Sequence, residues 1–148
     1  MVRLLEIAAI LALTTSASCA EPQEKVVEMR TESFDGLRFG VPEGRVAVAQ
    51  DGRIKIQPEQ ALRTVDQITV WTSNPKPLPE GTVTTGDDPA PHTLVTIEGG
   101  MGGPEYALSI PKTVGEREVT VRAYIQAEEG QPDFADAWAV WESLGVDQ

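Results

Sequence analysis

The chain has 148 residues, a net charge of −11, one cysteine and one histidine. That length holds one domain with one sizeable core. The acidic balance argues against a nucleic-acid partner, because phosphate backbones are repelled, and a lone cysteine excludes an internal disulfide.

The first twenty residues, "MVRLLEIAAILALTTSASCA", have the layout of a bacterial secretory signal. Arg3 gives a short positive end, Leu4 to Leu13 is apolar apart from Glu6, and small residues surround Cys19. The apolar run is far short of the ~20 residues that span a bilayer. Cleavage after Ala20 would release a soluble periplasmic protein. Cleavage before Cys19 would leave an N-terminal cysteine for lipid attachment, the one route by which this chain would touch a membrane. "SASC" resembles the bacterial lipobox but has Ser16 where a large aliphatic residue is usual. Both cleavages stay open. Residues 21–25 then read as a short tether, and 26–148 as a single binding domain. Loss of Arg3 and Glu6 removes one charge of each sign, so the mature protein stays at −11.

Period-two patterns bounded by turn residues follow, the signature of strands. "VVEMRTES" and "LRFGV" flank Asp35-Gly36, and "RVAVA" and "RIKIQ" flank Asp51-Gly52; both read as hairpins with the same turn chemistry. "DQITVWTS" is a further strand, with Ile68 and Val70 on one side. The segment 74–91, "NPKPLPEGTVTTGDDPAP", holds five prolines and two glycines. Proline removes ladder donors, so a surface loop with one short edge strand at Thr82 to Thr85 is expected. "HTLVTIEGG" and "YALSIPK" are strands joined by the glycine-rich "GGMGGPE". "REVTVRAYIQAE" alternates most regularly, with Val119, Val121, Ala123 and Ile125 on one side; its length predicts a central place in the sheet.

At the end, Phe134, Ala137, Trp138, Trp141 and Leu144 fall on one face of a helix. Asp133 suits its start and Gly145 its stop. Trp138 and Trp141 are read as packing residues, with an aromatic ligand platform as the alternative. The fold class expected is α+β: an antiparallel sheet with a C-terminal helix packed on one face.

Reactive groups are scarce. His92 has no nucleophile-elbow pattern beside it, and no Cys/His cluster exists for zinc. "GGMGGPE" lacks the Lys-Ser/Thr of a phosphate loop. The pairs Asp87-Asp88 and Glu128-Glu129 are sequence neighbours whose side chains diverge, so neither makes an acid/base dyad or an EF-hand. The expectation is therefore a non-enzyme without cofactor or metal. Acidic loops suit a partner with a basic face, and an unpaired edge strand would allow a homodimer.

The order of elements carries a resemblance. The hairpin "FDGLRFGVPEG", the strand-loop-strand "VTIEGGMGGPEYALSIPK", and the aromatic ending F-x-x-A-W-x-x-W-x-S-L look like the Mog1/PsbP-like fold. Its members are mostly binding proteins. One bacterial branch is similar in size, signal and acidity: periplasmic immunity proteins that neutralise a type VI secretion muramidase effector. The resemblance thus implies an inhibitor that blocks a peptidoglycan-degrading enzyme's groove. It transfers no inhibitory residue. The physical candidates for partner binding are Glu128, Glu129 and Asp133 in "QAEEGQPD", then Asp87 and Asp88 in "TGDDPAP". The first loop ranks higher because rigid elements hold both its ends, which lowers the ordering cost of binding. The competing reading is a non-catalytic envelope lipoprotein, an accessory subunit of a membrane-associated complex.

Overall fold

The computed structural model describes residues 27–60, 66–99, 103–127 and 131–147. The segment 1–20, the tether 21–25, Cys19, Glu128 and Glu129 lie outside the described residues.

The first hairpin joins β1 (Met29–Phe34) to β2 (Leu37–Pro42). Its turn residues Asp35 and Gly36 have φ of 52° and 77°, both positive, as the mirror-image turn of a two-residue hairpin requires. The second joins β3 (Arg45–Gln50) to β4 (Arg53–Pro58). Here Gly52 is left-handed at φ 73° while Asp51 is not. The same dipeptide therefore makes two different turns, a correction to the sequence expectation.

The remaining elements are β5 (Asp66–Trp71), β6 (Thr82–Gly86), β7 (His92–Ile97), β8 (Glu105–Val114), β9 (Arg117–Gln126), a helix α1 (Ala135–Ser143) and β10 (Gly145–Val146). Two sheets result. The larger has the order β3-β4-β5-β9-β8-β7-β6, and the smaller β1-β2-β10. Every pairing is antiparallel. β9 is central in the large sheet, as its regular alternation predicts, and β6 is the expected edge strand.

Register explains the core. Ala47, Ile56, Ile68, Ala123, Leu108 and Leu94 face one another across successive strands. Ala49, Ile54, Val70, Val121 and Ile110 form the next row. Leu37, Phe39 and Val41 of β2 join this cluster, with Ala137, Val140 and Leu144 from the helical end. Each fully buried aliphatic side chain contributes about 1.5–3 kcal/mol. Val140 is completely buried, whereas Trp138 and Trp141 are only partly so. The helix thus turns its small residues inward and leaves its tryptophans at the rim.

Ser143 ties α1 to β2: its hydroxyl accepts from the Gly40 N–H at 2.7 Å and donates to the Val140 carbonyl at 2.6 Å. A Cβ at Gly40 would stand 3.2 Å from the Ser143 Cβ and closer still to the Met29 methyl, so any larger residue here would press on both. Gly145 does not stop the helix. Leu144 is already extended, at ψ 129°, and Gly145 opens β10.

The α+β class is overturned. Of the described residues, 57% lie in strands and 8% in helix, so the domain is mainly β. The physical reason is that one nine-residue helix covers only part of a seven-stranded sheet. The small sheet, not foreseen from the sequence, contributes the rest of that layer.

Candidate functional site

The register that builds the core also carries two charged residues inward. Arg45 continues the Ala47/Ala49 face of β3, and Asp66 continues the Ile68/Val70 face of β5, opposite Ile125 of β9. Both stand at the same end of the large sheet. Asp136, in the first turn of α1, closes on them. Arg45 Nη2 donates to both Asp66 oxygens, at 2.8 and 3.0 Å, and Arg45 Nε donates to Asp136 Oδ2 at 3.0 Å.

Burial works against the Arg45 charge. The hydrogen bonds and charges of Asp66 and Asp136 outweigh it and raise the guanidinium pKa above its ordinary value. The backbone is held as well: Arg30 Nη2 donates to the Arg45 carbonyl at 2.8 Å.

A pocket of about 370 Å³ opens beside this cluster, lined by Arg45, Asp66, Gln126, Gln131, Asp133 and Asp136. Asp133 was singled out from sequence for partner binding. It sits at the pocket wall, where its Oδ1 accepts the N–H of Ala135, the first residue of the helix, at 2.9 Å; the N-cap position itself is Phe134.

The second acidic segment reaches the same helix from another side. Asp87 and Asp88 are exposed, while Ala90 is buried. His92 Nδ1 bonds the Ala90 carbonyl at 2.8 Å, which makes that nitrogen the donor. The His92 ring then packs edge-on against Trp138, with centroids 5.3 Å apart and planes at 88°. Trp138 meets Trp141 at 5.7 Å in the same manner. Lys112 Nζ lies 4.7 Å from the centre of the Trp141 ring and donates to the Trp141 and Glu142 carbonyls at 2.7 and 3.3 Å. Burial lowers the Lys112 pKa, partly opposed by the Glu142 charge. Its ammonium thereby sits at the C-terminal end of the helix, sharing the Trp141 carbonyl with the Leu144 N–H.

The structure thus brings Asp133 and the Asp87-Asp88 segment to the flanks of one helix. Glu128 and Glu129 lie outside the described residues. Sequence reading passed over Arg45, Asp66 and Asp136. For the first two a signal existed: a charge at an inward position of an alternating strand must be paired if it is buried. No comparable signal marked Asp136, whose partners come from strands far away in the chain. Among the described residues, no three His, Cys, Asp or Glu side chains converge on a metal-sized space.

Comparison with known proteins assigns the chain to a family. Residues 39–145 match the model of the type six secretion immunity 3 domain, Tsi3. A relative from Pseudomonas aeruginosa, "Immune protein Tsi3", is 37% identical over 82 residues. That alignment covers 55% of this chain and 57% of the relative, so the chain spans little more than half of that protein's length. The matched segment runs from β2 to the start of β10 and takes in Arg45, Asp66, Asp87, Asp88, Asp133, Asp136 and the aromatic row. On this match the chain belongs to the type six secretion immunity 3 family, a family of immunity proteins and not of enzymes.

Proposed function

We propose that this protein is a periplasmic immunity protein, and that it neutralises a secreted peptidoglycan-degrading effector by occupying the effector's substrate groove. The observation that carries the reading is the placement of the acids. Asp133 and Asp136 stand at the start of a helix fixed to both sheets, and the exposed Asp87 and Asp88 precede His92, which packs on the same helix, so acidic residues are held on a rigid mount. A groove that handles an anionic polymer tends to be basic, and opposed potentials speed encounter and favour register. Membership in an immunity family supports a secreted effector as the partner. The signal-like first twenty residues support action in the periplasm.

The test is direct. The purified protein is mixed with the effector encoded beside its gene, and peptidoglycan clearing is followed by turbidity. Suppression complete at equal molar amounts supports the proposal; undiminished clearing at excess rejects it. Charge reversal of Glu128 and Glu129 is expected to weaken the complex and steepen its loss with salt. Unchanged affinity would remove that segment from the interface. The envelope-lipoprotein reading rests on Cys19 alone. Palmitate labelling that disappears in Cys19→Ala would support anchoring, which is compatible with inhibition.

A further inference from the structure

We propose that β6, the free edge of the seven-stranded sheet, takes up a strand of the partner protein that carries lysine or arginine at both ends. This rests on the reading that the protein acts by docking to another protein, and adds where and by what chemistry.

The first support is the state of that edge. β6 ends the large sheet and pairs with β7 alone. Thr82, Val83, Thr84 and Thr85 are all exposed, and Val83, at 58%, is the most exposed large apolar residue among those described. A bare edge offers unpaired N–H and C=O groups to another strand, and proteins guard it with charge, proline or extreme shortness. The other edges have such guards. β1 carries Arg30 and Glu32, joined at 2.9 Å, and β10 has only two residues. On β3 the Arg30 guanidinium already occupies the Arg45 carbonyl. "TVTTG" holds no charge and no proline, and its threonines and valine favour the extended form.

A second support is the register. Val83 stands opposite Val95, which stands opposite Ala107. Val95 and Ala107 are 1% and 3% exposed, so this row is buried up to its last member. In the other phase, Thr84 extends the row of Leu94 and Leu108. An added strand continues both rows, and its residue opposite Val83 covers the apolar side chain left open there. In such strand addition the backbone bonds supply affinity and the alternate side chains supply specificity.

Charge chooses the occupant. Glu80 precedes β6, Asp87 and Asp88 follow it, and all three are exposed with no ion pair among the described residues. A second copy set antiparallel about Thr84 would bring Glu80 against Asp88 at both ends. A parallel copy in register would bring each acid against itself. Like charges set opposite are destabilising, and copies of net charge −11 repel one another as a whole. A strand of another protein with a cation at each end gains at both.

The test uses the isotopically labelled protein and three nine-residue peptides. The first alternates threonine and valine and has a lysine at each end. The second has glutamates at the ends instead. The third is the lysine-ended peptide with a central proline, which breaks the ladder. The lysine-ended peptide is expected to shift the backbone amides of 82–86 saturably and to slow their hydrogen exchange. The glutamate-ended peptide should bind at least about tenfold more weakly, with the gap narrowing at high salt. The proline peptide should leave the amides unmoved. Val83→Lys sets a guard on the exposed edge without touching the core. That variant should melt as the parent does, lose the peptide shifts and bind the cognate effector at least about tenfold more weakly. The peptide readings on the parent decide the proposal even if the variant folds poorly. Four results would each overturn it: no shift with the lysine-ended peptide, equal binding of the glutamate-ended one, equal shifts with the proline peptide, or parental effector affinity in Val83→Lys. A concentration-dependent dimer that Val83→Lys abolishes would assign the edge to a second copy and overturn it as well. If instead the parent protein fails to suppress lysis, the inhibitor reading falls on its own, because the peptide titration involves no effector.

Discussion

The two faces of the seven-stranded sheet are made by alternate residues of the same strands, yet they are covered differently. One face lies beneath the small sheet and helix, and its strand residues are Ile, Val, Leu and Ala, with Arg45 and Asp66 entering only at its end. The other bears Gln67, Thr69, Arg122 and Tyr124, and its cover is a proline-rich segment that includes Leu78 and Pro79. There Arg122 does the fastening. Its Nη1 donates to the Lys76 carbonyl at 2.8 Å and its Nε to Ser109 Oγ at 2.8 Å. Burial lowers the Arg122 pKa. The difference shows that alternation decides more than in and out. One phase provides stability, while the other attaches a loop that has no regular structure to bury.

If that division is right, perturbing the two faces should give unequal losses. Ile110→Ala, on the packed face, is expected to destabilise by about 2–5 kcal/mol in urea unfolding, through lost burial and the cavity left behind. A loss below about 1 kcal/mol would mean that the faces are not so distinct. Arg45→Met should follow, at about 3 kcal/mol, because it strands Asp66 and Asp136 without their counter-charge. Adding Asp66→Asn and Asp136→Asn to that variant should recover part of the loss.

Arg122→Ala, only one residue from the buried Val121, should cost about 1–2 kcal/mol. It should also raise amide exchange in 74–81 while leaving the core protected. The smallest effect is tied to pH. Burial, with the hydrogen bond and charge of Glu105, raises the Tyr124 pKa above 10.0. The protonated phenol is therefore favoured in the fold. Its contribution is fully present below the unfolded pKa of about 10 and fades as pH rises through the folded value. Tyr124→Phe should flatten that alkaline decline and change little at neutral pH.

Much of this fold was legible because antiparallel strands with one wet face must alternate. The pattern placed β9 at the centre, both hairpins and an edge strand at Thr82 to Thr85, which the structure extends by one residue to Gly86. It could not reveal that β2 leaves the large sheet, since Leu37, Phe39 and Val41 alternate equally well in either sheet. Nor could it show β10, whose two residues are too short to have a period. The helix was legible in position and in its inward face, since Ala137 and Leu144 are buried and Phe134, Trp138 and Trp141 pack against the core, but the pattern passed over Val140, which is the most deeply buried of all. In the candidate site, Asp133 and the Asp87-Asp88 segment were visible as charge. The Arg45 cluster was visible only as two charges in the wrong phase, and the third member became apparent when the helix was docked.

The tie between Gly40 and Ser143 joins residues 103 apart in the chain. β2 can pair early with β1, its neighbour in sequence, but its other side waits for α1 and β10. Closing so wide a loop comes late and slows folding, because chain entropy is lost before the long-range contacts return anything. A polypeptide that locks only when its distant parts meet depends on its last residues for the closure of its first.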